Sequence, residues 1–427
     1  MARALTEKIN RREVIAHILA AGAGSSILPF ITPKALAAAD NRDLWIILGL
    51  NGGMDQTHFC DPKAIGTRSP FSASSIRKYA GIPFGPDFTR TSGQPDRYAP
   101  FWSKYARQML VLNGINHQTN GHRTGKIVAS TGNLNRGYPH IAEIIAFAHL
   151  KPSDALSFLA MGYNNSTAGL VPSSQLTVDF NADQRIVDPL GQGMLHRQEY
   201  LRLREHLHQR MRQQMQSKSL SRKHRQLLAQ SIAAQKQMEN ISSLGQHLPG
   251  QKARDNNIHR IELIMAGFAA GLTTAASMDI GKFDSHDNND SRQNSEMLKV
   301  MATIDFAYTL AAQKGLADRL HIAMITDFGR TAYNNNEKGK DHATTTSYMF
   351  IGKRFAALQG VVGQTNNLVQ PMKLHPRTLR PDSSGLVPNA AAVHQAWRNF
   401  VGCPASISQK YPLARFSETS SPLPFFG

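Results

Sequence analysis

The sequence predicts an α/β protein of three layers, with a mostly parallel β-sheet between two layers of helices. Short, almost wholly apolar runs alternate with stretches in which apolar residues recur at helical spacing, which is the pattern of a parallel sheet covered on both faces. With 427 residues, 41% of them hydrophobic and 18% charged, the chain can bury a substantial core, which excludes wholesale disorder. The mean hydropathy is −0.34, and the absence of an apolar run of about 18 residues excludes a membrane-spanning bundle.

The strands are predicted from short apolar runs that alternate with helical stretches. In chain order they are Leu44–Leu50, Met109–Leu112, Leu156–Ala160, Ala276–Ile280, His321–Thr326 and Tyr348–Ile351. The helices are predicted from apolar residues at helical spacing between these runs, over Lys126–Ala129, Tyr138–Ala148, Ile258–Leu272 and Glu296–Gln313. No internal repeat interrupts this order, so residues 38–427 are predicted to form one domain.

Residues 1–37 have the features of an export signal. Asn10-Arg11-Arg12 precedes a moderately apolar stretch, Val14 to Ile31, and Ala35-Leu36-Ala37 is a small-x-small cleavage site that would make Ala38 the first mature residue. Paired arginines before a weakly apolar core indicate the twin-arginine route; an ordinary Sec signal and an uncleaved anchor are the alternatives. The protein is therefore expected to be periplasmic or secreted, with no transmembrane segment in the mature chain.

The net charge limits the expected classes of binding partner, and the cysteine content limits the kinds of structural site. The 48 Lys and Arg and the 30 Asp and Glu give a formal net charge of +18. Removing the signal removes five basic and two acidic residues, so the mature chain has a net charge of +15. An exported protein rarely meets nucleic acid, so the expected partner is an anionic small molecule or polymer such as a sulfated or uronic polysaccharide, lipopolysaccharide or teichoic acid. Cys60 and Cys403 alone cannot build a disulfide scaffold or a cysteine zinc site.

A basic helical insertion is predicted at about 190–250. His196 to Lys236 contains ten Lys and Arg but two acidic residues, and Leu203, Leu207, Met211 and Met215 recur every four residues, which indicates an amphipathic helix followed by a second one. Its two interpretations are a solvated hairpin covering one end of the sheet and a basic arm for an anionic polymer or membrane surface.

Four polar motifs follow predicted strands or precede one. Gly49-Leu50-Asn51-Gly52-Gly53-Met54-Asp55 ends the first strand, and Phe283 to Asp290 gathers three carboxylates and a histidine, with Asp284 and His286 two residues apart. Because ligands bind outside the carboxyl ends of strands in open α/β sheets, these side chains lie where a site is expected. A helix-capping aspartate and a polar surface loop are the respective structural alternatives.

The third and fourth motifs are Thr326-Asp327-Phe328-Gly329-Arg330-Thr331 and Gly339-Lys340-Asp341-His342-Ala343. Carboxylates and imidazoles at successive strand ends predict a metal site, with Zn favoured and Mn, Fe, Ca or Mg as alternatives. Arg330 is a candidate ligand for an anionic substrate group; the alternative is a salt bridge to Asp327 or Asp341.

As a set, these motifs resemble an exported family of unknown function within the alkaline phosphatase/sulfatase superfamily, over nearly all of residues 40–427. The resemblance implies an alkaline-phosphatase-like α/β/α domain with metals at the carboxyl ends of the strands. It implies as metal ligands Asp55, Asp284, His286, Asp327 and His342. Phe328 stands where the superfamily has a ligand, which puts a complete two-metal centre in question.

The position of the superfamily nucleophile differs most. Aligning Thr131-Gly132 with the pair that closes the following helix in sulfatases places His122 at the nucleophile and Lys126 at the arginine, so an ordinary sulfatase is not expected. Three interpretations of His122 remain: a metal ligand; a nucleophile or general acid/base with Lys126 stabilising a developing oxyanion; or a structural residue, with Thr124 either the nucleophile or without a role.

Two functions are therefore expected as alternatives. The first is an exported metal-dependent hydrolase of a phosphate or sulfate ester, and the second is a non-catalytic envelope protein that binds an anionic polysaccharide. A metal-dependent enzyme acting on another bond is a third possibility. The oligomeric state is left open.

Overall fold

The computed structural model describes residues 41–64, 73–87, 94–151, 154, 156–165, 167–171, 173–179, 186–188, isolated positions within 202–214, 244–358, 360–413 and 423–426. The described residues divide into two compact units. The larger comprises Arg42–Ala148, Met161–Leu170 and Ala275–Gly427, and the smaller includes His149–Ala160 and Val171–Thr274. The predicted export signal lies outside the described residues.

Strands and helices are interspersed along the chain. The strands are β1 Leu44–Leu50, β2 Arg77–Tyr79, β3 Ile82–Phe84, β4 Met109–Asn116, β5 Phe158–Met161, β6 Ser173–Ser174, β7 Thr177–Asp179, β8 Ile186–Asp188, β9 Ala275–Ile280, β10 Leu320–Thr326, β11 Gly329–Arg330, β12 His342–Ala343, β13 Thr345–Ile351 and β14 Gly360–Val362. The α-helices are α1 Gln56–Phe59, α2 Ala99–Tyr105, α3 His122–Thr131, α4 Ile141–Ala148, α5 Asn256–Ala269, α6 Asn289–Gln313, α7 Ala390–Phe400 and α8 Ala405–Lys410. Each strand and helix predicted above outside the basic insertion corresponds to one of these.

In the larger unit, six described strands lie in the order β14-β4-β13-β10-β1-β9. Strand β1 pairs in parallel with both β10 and β9, whereas β13 runs antiparallel between β10 and β4. The sequence between β10 and β13 contains no α-helix, and antiparallel neighbours do not need the helical crossover that parallel ones require. The sheet is therefore mixed and mostly parallel, which confirms the predicted fold class.

Helices cover both faces of this sheet. Trp397 of α7 packs against Trp45 of β1 and Phe350 of β13, and α7 also contacts α3 through the His394 Nε2–H bond to the Ala129 carbonyl. On the other face, the Tyr308 hydroxyl of α6 donates to the Leu320 carbonyl at the start of β10. All seven residues of β1 are buried, as expected of a parallel strand with helices on both sides.

The register brings three strand ends together. Leu50 pairs with Thr326 of β10 and with Ile280 of β9, so the last residues of the three strands lie side by side. The residues that follow these strands therefore share one edge of the sheet. This edge holds three of the four polar motifs.

The smaller unit contains short β-structure and one long described helix. Strand β6 pairs in parallel with β5, and β7 pairs antiparallel with β8. Helix α5 begins after Asp255, whose carboxylate accepts the N–H groups of Asn257 and Ile258, a standard N-cap. The predicted insertion at about 190–250 lies mostly outside the described residues, which include seven helical, exposed positions within 202–214. Among the described helices, none combines the length and apolarity needed to cross a bilayer.

Candidate metal centre

A Gly-Gly turn begins the site at the end of β1. Gly52 and Gly53 have φ angles of 103° and 86°, in the left-handed region that glycine adopts without strain. A Cβ on Gly52 would lie 2.5 Å from the backbone nitrogen of Asp284, and one on Gly53 would lie 2.4 Å from the Phe328 ring. Only glycine therefore lets the turn approach the loops that follow β9 and β10.

Asp327 follows β10 and is fully buried beneath this turn. Its Oδ1 accepts the N–H groups of Gly52 at 2.9 Å and of Gly53 at 3.1 Å. Its Oδ2 lies 3.0 Å from Nδ1 of His122. The carboxylate thus ties the turn after β1 to the first residue of α3.

Helix α3 begins at His122 and ends at Gly132, whose φ of 74° gives a left-handed C-cap. A Cβ on Gly125 would lie 2.2 Å from the Asp327 carbonyl oxygen, so the helix rests directly on the end of β10. This close approach is what brings the His122 side chain over the strand ends.

Three imidazoles converge on the carboxylate of Asp284. Nε2 of His122 lies 3.3 Å from Oδ2, Nε2 of His342 lies 3.2 Å from Oδ1, and Nε2 of His286 lies 3.1 Å from Oδ1. The Nε2 atoms of His286 and His342 are 3.0 Å apart. Residues from α3, from β12 and from the loop after β9 therefore meet at one point.

The second ring nitrogen of each imidazole, Nδ1, faces an oxygen atom that only accepts hydrogen bonds. Nδ1 of His342 lies 2.8 Å from the Asn120 carbonyl, Nδ1 of His122 faces the Asp327 carboxylate, and Nδ1 of His286 lies 3.3 Å from Oδ1 of Asp341. We assign the hydrogen of each neutral ring to Nδ1 on this basis. Three Nε2 lone pairs then point at one carboxylate.

That convergence is unfavourable without positive charge among these atoms, and a divalent cation bound between them would supply it. Metal-binding histidines characteristically donate their other N–H to a carboxylate or carbonyl, as all three do here. Metal–nitrogen bonds of about 2.0–2.1 Å separate tetrahedral ligands by about 3.3 Å, close to the separations described above. The nitrogen and oxygen donors suit Zn, Mn or Fe. In the described part of the chain, His122, Asp284 and His342 form the one group of three or more whose ligand atoms all lie within 4.8 Å of one another. His286 contacts Asp284 and His342 but lies outside this group.

The Arg330 guanidinium binds the Asp284 carboxylate from the buried side. The guanidinium is fully buried, and its N–H groups donate to the backbone carbonyls of Gly52, Gly53, Phe283 and Lys340. It also donates to Oδ1 of Asp284 at 2.6 Å. Its salt-bridge partner is thus Asp284, in place of the predicted Asp327 or Asp341, and its donors face the protein interior instead of a substrate.

The electrostatics of the cluster keep Asp284 ionised. Burial by itself raises the pKa of Asp284, but the hydrogen bond and the positive charge of Arg330 outweigh it and lower the pKa to about 2. The hydrogen bond to Asp327 raises the pKa of His122 above its usual value, against the opposing effect of burial. The side chain of Asp284 is 42% exposed, so an ion bound here would remain accessible.

Asp55, a predicted metal ligand, lies apart from this cluster. Its carboxylate is fully buried, and Oδ2 is 2.8 Å from the Lys340 ammonium. Oδ1 accepts the N–H and the hydroxyl of Thr57 at 3.0 and 2.7 Å, which makes Asp55 the N-cap of α1. Asp55 thus caps a helix, which was the structural alternative to metal binding, and it also forms an ion pair with Lys340.

The other predicted catalytic residues lie on α3 beside His122. The Thr124 hydroxyl lies 2.6 Å from that of Thr119 and donates to the Gly121 carbonyl. The Lys126 ammonium lies 5.8 Å from the centre of the Tyr163 ring.

The sequence-based prediction did not include several residues that shape the cluster. Phe328 stacks on His342 at 3.9 Å and contacts His122 edge-on at 4.9 Å between ring centres. Asn120 contributes only its carbonyl, which no side-chain pattern reveals. Lys340 and Asp341 stand beside His342 in the quoted motif, so their proximity was available from the sequence but their roles were not.

Comparisons with known proteins give a family and distant structural neighbours. The family described as "Protein of unknown function (DUF1501)" matches residues 42–379, and no curated protein matches the chain. Ps i-CgsB, solved in complex with k-i-k-neocarrahexaose, is 8% identical with a TM-score of 0.40, over 87% of this chain and 74% of that one. A protein in complex with its substrate D-glucosamine-2-N,6-O-disulfate is 9% identical with a TM-score of 0.35, over 86% and 78%. A 2-O GAG sulfatase is 7% identical with a TM-score of 0.32, over 86% and 73%.

Proposed function

We propose that this chain, which belongs to the DUF1501 family, is an exported metal-dependent hydrolase of phosphate or sulfate esters. The observation that carries the proposal is the convergence of three imidazole Nε2 atoms on the Asp284 carboxylate. His122, His286, His342 and Asp284 would hold the ion, with Zn as the favoured metal. A divalent cation there supplies Lewis acidity to an ester oxygen and lowers the pKa of water.

The residues around the four ligands have positioning roles in this proposal. Asp327 orients His122 through Nδ1, and the Asn120 carbonyl does the same for His342. Arg330 fixes Asp284 from the buried side. Because each ligand is held by a second group, little rearrangement is needed when a metal binds.

His122 is best interpreted as a metal ligand. Its Nδ1–H is committed to Asp327, and its Nε2 points at Asp284 with the other two histidines. The Thr124 hydroxyl donates to the Gly121 carbonyl and contacts Thr119, so it is held away from the role of nucleophile. This arrangement supports hydrolysis without a covalent intermediate on α3.

The charges around the cluster favour an anionic substrate. Asp284, Asp327 and Asp341 contribute three negative charges and Arg330 one positive charge, so a divalent cation among neutral histidines makes the cluster neutral overall. Lys126, on the same helix as His122, adds positive charge nearby and opposes protonation of that imidazole. A phosphate or sulfate ester would therefore be attracted to the ion.

The test is the metal content of protein purified without added metal. The wild type should contain about one equivalent, and Asp284→Ala/His342→Ala should lose it. A matched control is Asp318→Ala/His206→Ala, which makes the same changes at exposed positions and should keep the metal. Wild-type protein that folds but takes up no metal, even when resupplied, would refute the metal centre.

Activity is tested next, on panels of phosphate and sulfate esters that include sulfated oligosaccharides. Hydrolysis should require the metal and should be absent in the double variant. The second candidate, a non-catalytic protein that binds an anionic polysaccharide, would instead give saturable binding without hydrolysis. Export by the twin-arginine route is tested separately with Arg11→Lys/Arg12→Lys, which should leave the protein in the cytoplasm.

A further inference from the structure

The carboxylate of Asp55 already has a cation. The Lys340 ammonium lies 2.8 Å from Oδ2 of Asp55, with only 2% of the lysine side chain and none of the aspartate side chain exposed. The same ammonium donates to the Thr57 hydroxyl at 2.9 Å. Lys340 belongs to the loop before β12, two residues before the proposed metal ligand His342.

Every other direction around this carboxylate is also occupied by a hydrogen-bonding group. Oδ2 accepts from the side-chain amide of Asn289 at 2.9 Å and lies 3.3 Å from Nδ1 of His58. Oδ1 accepts from the backbone and the hydroxyl of Thr57. Burial alone would raise the pKa of Asp55, but the charges of Lys340 and His58 and the hydrogen bonds hold it well below the usual value.

This environment does not fit the metal that the family resemblance implies at Asp55. A divalent ion needs carboxylate oxygen at about 2.0–2.2 Å, in the space that the ammonium fills. Two cations bound to one carboxylate inside the protein would repel each other strongly. The residues at Asp55 are therefore complementary to an ammonium.

The net charge of the residues at the strand ends also favours a single metal ion. Asp55, Asp284, Asp327 and Asp341 contribute four negative charges, and Lys340 and Arg330 contribute two positive ones. One divalent ion changes the net charge from −2 to 0, whereas two would leave +2. The two buried cations thus leave room for one metal ion.

We infer that Lys340 is the permanent counter-ion of Asp55, that Asp55 is not a metal ligand, and that the protein holds a single metal ion at the His122–Asp284–His286–His342 cluster. The stoichiometry rests on the proposed metal centre, but the pairing of Asp55 with Lys340 does not. The two parts are therefore tested by different measurements on one set of variants.

The set comprises Asp55→Asn, Lys340→Met and the double variant Asp55→Asn/Lys340→Met. Each single change leaves one charge buried without its partner, so each should lower the melting temperature by about 10 °C. The double variant removes both charges and should lose clearly less than the sum of the single losses. Additive losses would overturn the pairing, whatever the metal content proves to be.

Metal content is then compared between wild type and the double variant. The double variant should retain the same number of equivalents as the wild type, with the affinity changed by no more than about threefold. Loss of one equivalent on removal of Asp55 and Lys340 would overturn the inference, and so would two equivalents in the wild type. If either single variant does not fold, the metal content of the double variant alone decides the stoichiometry. A single variant that does not fold, beside a double variant that does, supports the pairing.

The two proposals fail in distinguishable ways. Wild-type protein without metal would refute the proposed function, while the stability cycle would still report on the Asp55–Lys340 pair. Retention of metal in Asp284→Ala with loss in the Asp55→Asn/Lys340→Met variant would move the metal to Asp55 and refute this inference.

Discussion

Replacing Asp327 with asparagine tests whether the metal ligands depend on the tautomer of His122. The carboxylate accepts two N–H groups from the Gly-Gly turn on Oδ1 and the His122 Nδ1–H on Oδ2. In Asp327→Asn, the amide oxygen would keep the two turn N–H groups, so the amide NH₂ would face His122. Two donors would then oppose each other, and the ring would relieve this by moving its hydrogen to Nε2, the atom that a metal requires.

The size of this effect follows from the interaction that is lost. A hydrogen bond to a charged group stabilises by about 1.5–3 kcal/mol, which corresponds to a loss of about 10–150-fold in metal affinity. Replacement of groups that orient metal ligands characteristically costs about 10–100-fold. We therefore expect Asp327→Asn to weaken metal binding by one to two orders of magnitude.

The assay is competition for the metal against a chromophoric chelator, with circular dichroism to verify the fold. Asp341→Asn is the matched control, because Asp341 contacts Nδ1 of His286 at 3.3 Å but its side chain is 64% exposed. Exposed interactions of this kind contribute about 0–1 kcal/mol, or less than about fivefold in affinity. Unchanged metal affinity in folded Asp327→Asn, or a larger loss in Asp341→Asn, would refute the reasoning.

Three further predictions concern the Gly-Gly turn, two buried histidines and the Phe328 ring that stacks on His342. Gly52→Ala should lower the melting temperature far more than Gly271→Ala, since both have positive φ but a Cβ meets backbone at 2.5 Å only at Gly52; equal shifts in thermal melts would contradict this. His140 and His394 are neutral because burial lowers the pKa of each to about 3, below about 6.5 in the unfolded chain, so stability falls as pH falls below 6.5. The two should together cost about 2.5 kcal/mol between pH 7 and 5.5, measured by urea unfolding. His140→Leu/His394→Leu should remove this share and leave that of His117, whose pKa burial lowers to about 4; an unchanged pH dependence in the double variant would contradict the reasoning. Phe328→Leu should weaken metal binding several-fold at unchanged stoichiometry, because the histidine stacked on it loses its support; isothermal titration that shows full affinity would count against that role.

The sheet and its ligand-bearing edge were largely predictable from the sequence. Runs such as Leu44–Leu50 and His321–Thr326 are apolar throughout, which is typical of strands buried on both faces. In a parallel sheet such strands end on the same edge, so the polar residues that follow them were expected to meet. Strand direction was less accessible, because an apolar run such as Tyr348–Ile351 reads the same in either direction and only the connection before it determines the pairing.

The division of these polar residues among roles was not predictable. Asp55 and Asp284 both follow a strand, and nothing local to either residue indicates that one pairs with an ammonium and the other receives three imidazoles. That difference depends on Lys340, which is distant from both in sequence and reaches Asp55 only in the folded chain. The interpretation of His122 depended likewise on a contact with Asp327, 205 residues away.

The position of Arg330 explains why this edge can hold so much charge in a fixed arrangement. Its planar guanidinium reaches four carbonyls and one carboxylate, and it thereby joins the loops after β1, β9 and β11. A lysine would offer three donors on a flexible stem and could not satisfy the same set. Arg330 is buried and committed to these groups, while the side chain of Asp284 stays 42% exposed and faces the three Nε2 atoms. The buried arginine thus fixes the carboxylate around which a metal would bind.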